Sequence, residues 1–235
     1  MMTLTLAAVY LLPLGPGADP GYPNPKLLVE PEVLAKSPHK FRILDVRPLA
    51  EFKKGHAPGA ISIQLGPWSK AVNEGNADAE FWKKELTRAV VSKNIPVVVV
   101  ADDVRSAARG WWLLSLAGVE DVRLLNGGWD AYRAAKGRVT TDAIAAAVQP
   151  EDWTLAPERQ ATKADVLGIV TRKRPGQIID ARSDAEYEAG HIPGAKRLEW
   201  SEVIDPKTGK FKSAAELAKL LKERGIDPAE ESCSY

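Results

Sequence analysis

"ILDVRPLAEFKKGHAPGAISI", Ile43 to Ile63, and "IIDARSDAEYEAGHIPGAKRL", Ile178 to Leu198, are one pattern written twice. They align without a gap, and every matched pair lies 135 residues apart. Asp45/Asp180, Arg47/Arg182, Glu51/Glu186, Gly55/Gly190, His56/His191, Pro58/Pro193 and Gly59/Gly194 are identical. Two copies at a domain-sized period predict a duplicated domain, because solenoid repeats recur at about 20–50 residues.

Each copy opens on a short apolar run with β-branched residues, "FRILDV" and "QIIDA". Such runs suit buried strands. "PLAEFKKGH" and "SDAEYEAGH" read as short helical turns ended by Gly55 and Gly190 at C-cap positions. "HAPGA" and "HIPGA" then turn the chain into a second apolar stretch.

Beyond the first copy, "NADAEFWKKELTRAVV" is amphipathic, with Phe81, Leu86 and Val90 expected on one face. "IPVVVVAD" has no polar alternation, the pattern of a strand in the middle of a parallel sheet. "SAARGWWLLSLAGV" reads as a helix, "DVRLLN" as a strand, and "GGWDAYRAAKG" as a turn and helix. Strands alternating with helices predict an α/β fold of two domains, each an open, mostly parallel sheet flanked by helices. The expected boundaries are 26–140 and 163–235, joined by a linker at 141–162 that packs across both domains through Trp153. In the second unit "SAAELAKLLKERGI" reads as an amphipathic helix, and "SCSY" as the start of the strand that "VVVV" forms in the first. The helix-strand-helix block that follows "VVVV" has no counterpart among the 235 residues, so the second domain is expected to be incomplete in its C-terminal half.

Composition narrows the function. The chain is 45% hydrophobic and 27% charged, with a net charge of +1. No field of one sign points to nucleic acid. One cysteine excludes an internal disulfide and a multi-cysteine metal site. Three histidines leave little for a metal, and no metal or organic cofactor is implied. Residues 1–25 begin with an apolar run from about Thr3 to Leu14, too short to span a bilayer. It matches the core of a secretory signal peptide, without a preceding Lys or Arg; the other reading is a buried strand or helix. The first reading implies a periplasmic or secreted protein, the second a cytoplasmic one.

The repeated "D-x-R-x-x-x-E-[FY]-x-x-G-H-x-P-G-A" resembles the rhodanese domain. Its duplication over residues 27–235 resembles the tandem-domain thiosulfate sulfurtransferases. "VRLLNGGWDAYRAAKG" is similar to the end of such a domain. The resemblance implies a cysteine that opens the loop after the central strand, in a pattern like C-x-x-G-x-R. Its thiolate takes sulfane sulfur from a small-molecule donor such as thiosulfate, as a persulfide, and passes it to cyanide or a thiol. That chemistry needs backbone N–H groups and a helix N-terminus to lower the thiol pKa, and cations to hold an anionic donor.

On this resemblance Asp102 stands at the nucleophile position of the first unit, which is then inactive, since a carboxylate forms no persulfide. In the second unit the nucleophile is expected directly after Tyr235, outside these residues; a broken gene, a partial sequence or a UGA codon read as selenocysteine would each account for that. Cys233 is the alternative nucleophile, but it stands three places early and reads as a buried strand residue. Arg182 is read either as a donor-binding cation or as an ion-pair partner of Glu186, four residues on. His191 and His56 recur in both units, so a conformational role fits them better than a general base. Asp180 and Asp45, at strand ends, are expected to accept backbone hydrogen bonds. Trp200 is read as a wall of the active-site mouth or as core. A non-catalytic rhodanese-like binding module is the competing function. A phosphatase of the related fold would need a C-x5-R loop that is absent.

Overall fold

The structure, a computed structural model, describes residues 21–143 and 147–235. The apolar run at 3–14, and with it the signal-peptide reading, lies outside the described residues. The first unit runs β1 (Leu28–Val29), α1 (Pro31–Lys36), β2 (Arg42–Asp45), α2 (Leu49–Lys54), β3 (Ala60–Ser62), α3 (Leu65–Asn73), α4 (Ala79–Arg88), β4 (Val97–Val100), α5 (Val104–Leu116), β5 (Val122–Leu125) and α6 (Gly128–Ala134). Its five strands are all parallel, in the order β1-β5-β4-β2-β3.

The valines of β4 explain this sheet. All four are buried, as a strand covered on both faces requires. Successive side chains point to opposite faces, so one strand feeds two cores. Val97 and Val99 join Leu44, Trp68, Trp82, Leu86 and Leu113 beneath α3, α4 and α5. Val98 and Val100 join Ile43, Leu34, Trp129 and Tyr132 beneath α1 and α6.

The structure corrects the reading of α4 by one residue. The helix buries Trp82 and Leu86, while Phe81 is only partly buried. Trp82 meets Trp68 edge-on at 5.3 Å, an arrangement that aromatic rings favour. Val90 lies past the helix end, at φ 54°. The linker is also corrected. Trp153 is buried in the first unit's core. Ala156 N donates to Leu116 O at 2.9 Å, and Trp112 Nε1 to Arg159 O at 2.8 Å. The segment is therefore strapped along α5 of the first unit.

The second unit runs α7 (Lys163–Val170), β6 (Gln177–Asp180), α8 (Asp184–Ala189), β7 (Lys196–Arg197), α9 (Ala214–Glu223) and β8 (Ser232–Ser234). Its parallel sheet has the order β7-β6-β8, which repeats β3-β2-β4. Three of its helices begin with a capping box: Thr162 with Asp165, Ser183 with Glu186, and Ser213 with Glu216. Leu217, Leu220 and Leu221 of α9 are half-buried.

A segment of the second unit, residues 200–212, docks on the first. Lys210 Nζ meets Glu30 Oε2 at 2.8 Å. Phe211 N donates to Asn126 Oδ1 at 2.9 Å. The Arg105 guanidinium stacks over the Trp200 ring at 4.5 Å.

Gly118 tests the linker strap. It sits at φ +88°, and a Cβ there would lie 2.1 Å from Thr154 O, a backbone atom. Gly118→Ala should lower stability by about 2–3 kcal/mol, read as a shift of the urea midpoint followed by tryptophan fluorescence. An unchanged midpoint would mean that the linker is not fixed against α5.

Candidate functional site

Open parallel α/β sheets bind ligands in the crevice at the C-terminal ends of their strands, where the strand order reverses. In the first unit that point lies between β4 and β2, and in the second between β8 and β6. The repeated motif builds both edges.

Asp180 ends β6 with its side chain fully buried. A buried carboxylate needs partners. It accepts from Arg182 N at 3.0 Å, from Nε at 2.9 Å and from Nη2 at 2.6 Å. Nη2 also donates to Gly190 O at 2.9 Å. The first unit repeats the arrangement: Arg47 grips Asp45 through N, Nε and Nη2, and Nη2 reaches Gly55 O at 2.8 Å. The motif is thus a clamp. A planar guanidinium ties the strand end to the glycine that closes the next helix.

This changes the reading of two residues. The ion-pair partner of Arg182 is Asp180, two residues before it, and not Glu186. Glu186 accepts instead from Ser183 N at 3.2 Å and Ser183 Oγ at 2.7 Å, as the N3 member of a capping box. The backbone hydrogen bonds expected at Asp45 and Asp180 are present, and each also carries the guanidinium.

The two clamps differ in access. The Arg47 side chain is 2% exposed and lies under the Trp129 ring at 3.9 Å. The Arg182 side chain is 33% exposed, and its guanidinium lies over Tyr235 at 5.1 Å. The Tyr235 hydroxyl accepts from Ile192 N at 3.0 Å and lies beside the Asp180 carboxylate. Hydrogen bonding from Arg182, ahead of that from Tyr235, holds the Asp180 carboxyl well below the usual carboxylate range in spite of its burial. Nothing in the sequence motif announced this tyrosine clip.

The histidines lock turns. His56 Nδ1 lies 3.0 Å from Phe52 O and its ring stacks on Phe52 at 3.8 Å. His191 Nδ1 lies 2.9 Å from Tyr187 O and its ring stacks on Tyr187 at 3.7 Å. The same geometry in both units serves conformation.

Cys233 sits in the middle of β8, opposite Ile178. Burial pushes its thiol pKa up, and Asp165 adds to the shift. An activated thiol is shifted the other way. Cys233 is therefore a half-buried strand residue.

Strand register places the crevice positions. Val100 lies opposite Asp45, and Val46 N donates to Val100 O at 2.8 Å. In the second unit Ile179 pairs with Ser234, and Ala181 N donates to Tyr235 O at 2.9 Å. Tyr235 is thus the counterpart of Val100, and the position directly after it corresponds to Ala101. Asp102, read from the sequence as standing at the nucleophile position, is one residue farther along the loop. The first unit lacks a nucleophile at either position, since Ala101 carries only a methyl group.

Trp200 lines a cavity of about 180 Å³ between the units, opposite Asp102 and the Gly127–Gly128 turn. Among the described residues no cluster of metal-ligating side chains occurs, and no helix is long and apolar enough to cross a membrane.

Comparison with known proteins adds the following. The rhodanese-like domain family matches residues 30–135 and 163–231. A thiosulfate sulfurtransferase of Corynebacterium glutamicum is 32% identical over 205 residues, 77% of this chain and 66% of that enzyme. The chain thus spans just under two thirds of that relative. The sulfur carrier protein TtuD of Thermus thermophilus is 31% identical over 234 residues, 88% of this chain and 80% of that protein. The crystal structure of SseA from Escherichia coli, described as a 3-mercaptopyruvate sulfotransferase, superposes with a TM-score of 0.75 at 24% identity. That match covers 88% of this chain and 87% of the other, and shows the fold.

Two measurements probe this site. The folded pKa of Asp180 is depressed, so its contribution to stability is present above its unfolded value near pH 4 and is lost as pH falls toward the folded value. Urea midpoints of the native chain should therefore fall between about pH 4 and pH 2, while Asp180→Asn, less stable at pH 7, should flatten this limb. Equal slopes would remove Asp180 from the acid limb. Cys233 should react with iodoacetamide at pH 8 at least about tenfold more slowly than free cysteine; an equal or faster rate would restore it as a reactive thiol.

Proposed function

The chain belongs to the rhodanese-like family, and from that premise we propose that it is a sulfurtransferase of the thiosulfate:cyanide type whose second unit carries the sulfur. The nucleophile is the residue directly after Tyr235, as cysteine or as a recoded selenocysteine. The observation that carries this reading is the register of β8 on β6, the same as that of β4 on β2. It brings the end of β8 to the crevice beside the solvent-reachable clamp of Asp180 and Arg182.

The reaction has two displacements. The nucleophile's anion attacks the outer sulfur of thiosulfate, the S–S bond breaks, and sulfite leaves with the bonding pair. Cyanide then attacks the carried sulfur, thiocyanate leaves, and the anion is restored. Arg182 keeps Nε and Nη2 on Asp180 and Gly190. Its share in donor binding is therefore the positive field of the exposed guanidinium. Relatives named for thiosulfate and for 3-mercaptopyruvate make both donors candidates. The reading also takes the run at 3–14 as an export signal; recovery of cytoplasmic protein with this segment intact would overturn that part.

A non-catalytic module is the second reading, and Ala101 favours it for the first unit taken alone. One assay separates the two. The protein is expressed from its native gene with the downstream nucleotides in place, and thiocyanate is measured with each donor. Sulfur transfer predicts turnover that survives Cys233→Ser, and a peptide after Tyr235 heavier by one sulfur atom once donor is added. No turnover with either donor would leave the binding module. Loss of turnover in Cys233→Ser would move the nucleophile to Cys233.

A further inference from the structure

We propose that the crevice of the first unit is a binding site for a small organic cation, an ammonium group on an apolar body about the size of one aromatic ring. The inference is independent of sulfur transfer and concerns the unit without a nucleophile.

The location is the first argument. The cavity of about 180 Å³ opens beside the loop after β4, at the reversal of strand order where open α/β sheets take their ligands. It is closed from the other side by the second unit, through Trp200, Ile204 and Phe211. Clefts between domains are a preferred setting for small-molecule sites. The second unit approaches the first closely at the Gly127 turn. A Cβ on Gly127 would lie 3.0 Å from Lys210 Cγ and 3.2 Å from Thr208 O.

Charge is the second argument. Every basic group at this edge has its own counter-ion. Arg47 is paired with Asp45. Arg105 stacks on Trp200 and lies 3.6 Å from Asp103 Oδ1. Asp103 is occupied too, since it caps α5 by accepting from Ser106 N at 3.0 Å and Ser106 Oγ at 2.9 Å. Asp102 is left over. It lines the cavity, and among the described residues it has no hydrogen-bond or ion-pair partner. Arg47 is the largest charge acting on it, and Asp45, Asp130 and Glu51 oppose Arg47 in that order.

The remaining lining selects the body of the ligand. Ala107, Leu124, Leu125, Ile204 and Phe211 offer apolar surface and an aromatic ring. A metal ion would find Asp102 and, beside it, an Asp103 whose two oxygens are already taken by Ser106 N and Oγ. An anion would be repelled, and a neutral molecule would leave Asp102 unused. An ammonium ion with an apolar body meets both the carboxylate and the walls, with an aromatic face available to the cation.

The test is calorimetric titration of the 235-residue chain with benzylammonium chloride at pH 7 and low ionic strength. Benzyl alcohol and benzoate serve as neutral and anionic counterparts of the same shape. One saturable site is expected for the amine, at least about tenfold tighter than for the alcohol, with no binding of benzoate. Asp102→Asn should weaken the amine about tenfold or more and bring it level with the alcohol, while Asp130→Asn should change it by less than about twofold. Because Asp102 is exposed, its circular dichroism should match that of the native chain. Absence of a saturable site, equal affinity for amine and alcohol, or an unchanged affinity in Asp102→Asn would each overturn the proposal.

Discussion

The carboxylate–guanidinium clamp at the end of β2 and of β6 is the constraint on which both edges depend. Asp45 and Asp180 are buried, and a buried carboxylate is stable only when its charge and its hydrogen-bond capacity are both met. The arginine two residues on meets them with its planar fork and its own backbone N–H. The same guanidinium then reaches the carbonyl of the glycine that ends the next helix. Strand end, loop and helix end are thereby held in one geometry, and the neighbouring strand must deliver its own C-terminus beside them. Removing the arginine would leave the carboxylate buried and alone, which is why the two residue types travel together in both copies.

Much of the fold was legible because its signals are local or repeated. Four valines without polar alternation announce a strand covered on both faces, and β4 is that strand. The gapless repeat announces two domains with one strand order, and the matching strand pairings β3-β2-β4 and β7-β6-β8 bear this out. What escaped depended on distances that spacing does not encode. Glu186 lies four residues from Arg182, so helical spacing suggested a pair. Ser183 lies three residues before Glu186, and that S-x-x-E spacing carried the competing signal of a capping box. The loop position was misread by one residue because "VVVVADD" and "SCSY" share no side chain that pins their alignment. Backbone hydrogen bonds pin it, through Val46 to Val100 and Ala181 to Tyr235. The tyrosine clip on Asp180 was invisible for the same reason, since Val100 holds its place in the first unit.

The two copies share the clamp atom for atom, since Nε and Nη2 of Arg47 and Arg182 hold the aspartate and Nη2 reaches the glycine carbonyl. In the first unit Trp129, from α6, covers the Arg47 guanidinium. In the first unit the crevice is roofed by residues 200–212 of the second, held by Lys210 on Glu30 and Phe211 on Asn126. Duplication therefore yields two edges with one frame.

The loop after β4 shows how far the first unit stands from thiol chemistry. A thiolate there would need unoccupied N–H groups at the start of α5 and a local excess of positive charge. Asp103 already occupies Ser106 N, and it also sits beside Arg105. Asp102 adds a second negative charge next to Ala101, with no hydrogen-bond or ion-pair partner among the described residues. A cysteine introduced at Ala101 would meet a field that raises its pKa and repels a dianionic donor. Ala101, Asp102 and Asp103 thus together set this loop apart from a thiolate cradle, and the negative field that opposes an anion is the one that the proposed cation would meet.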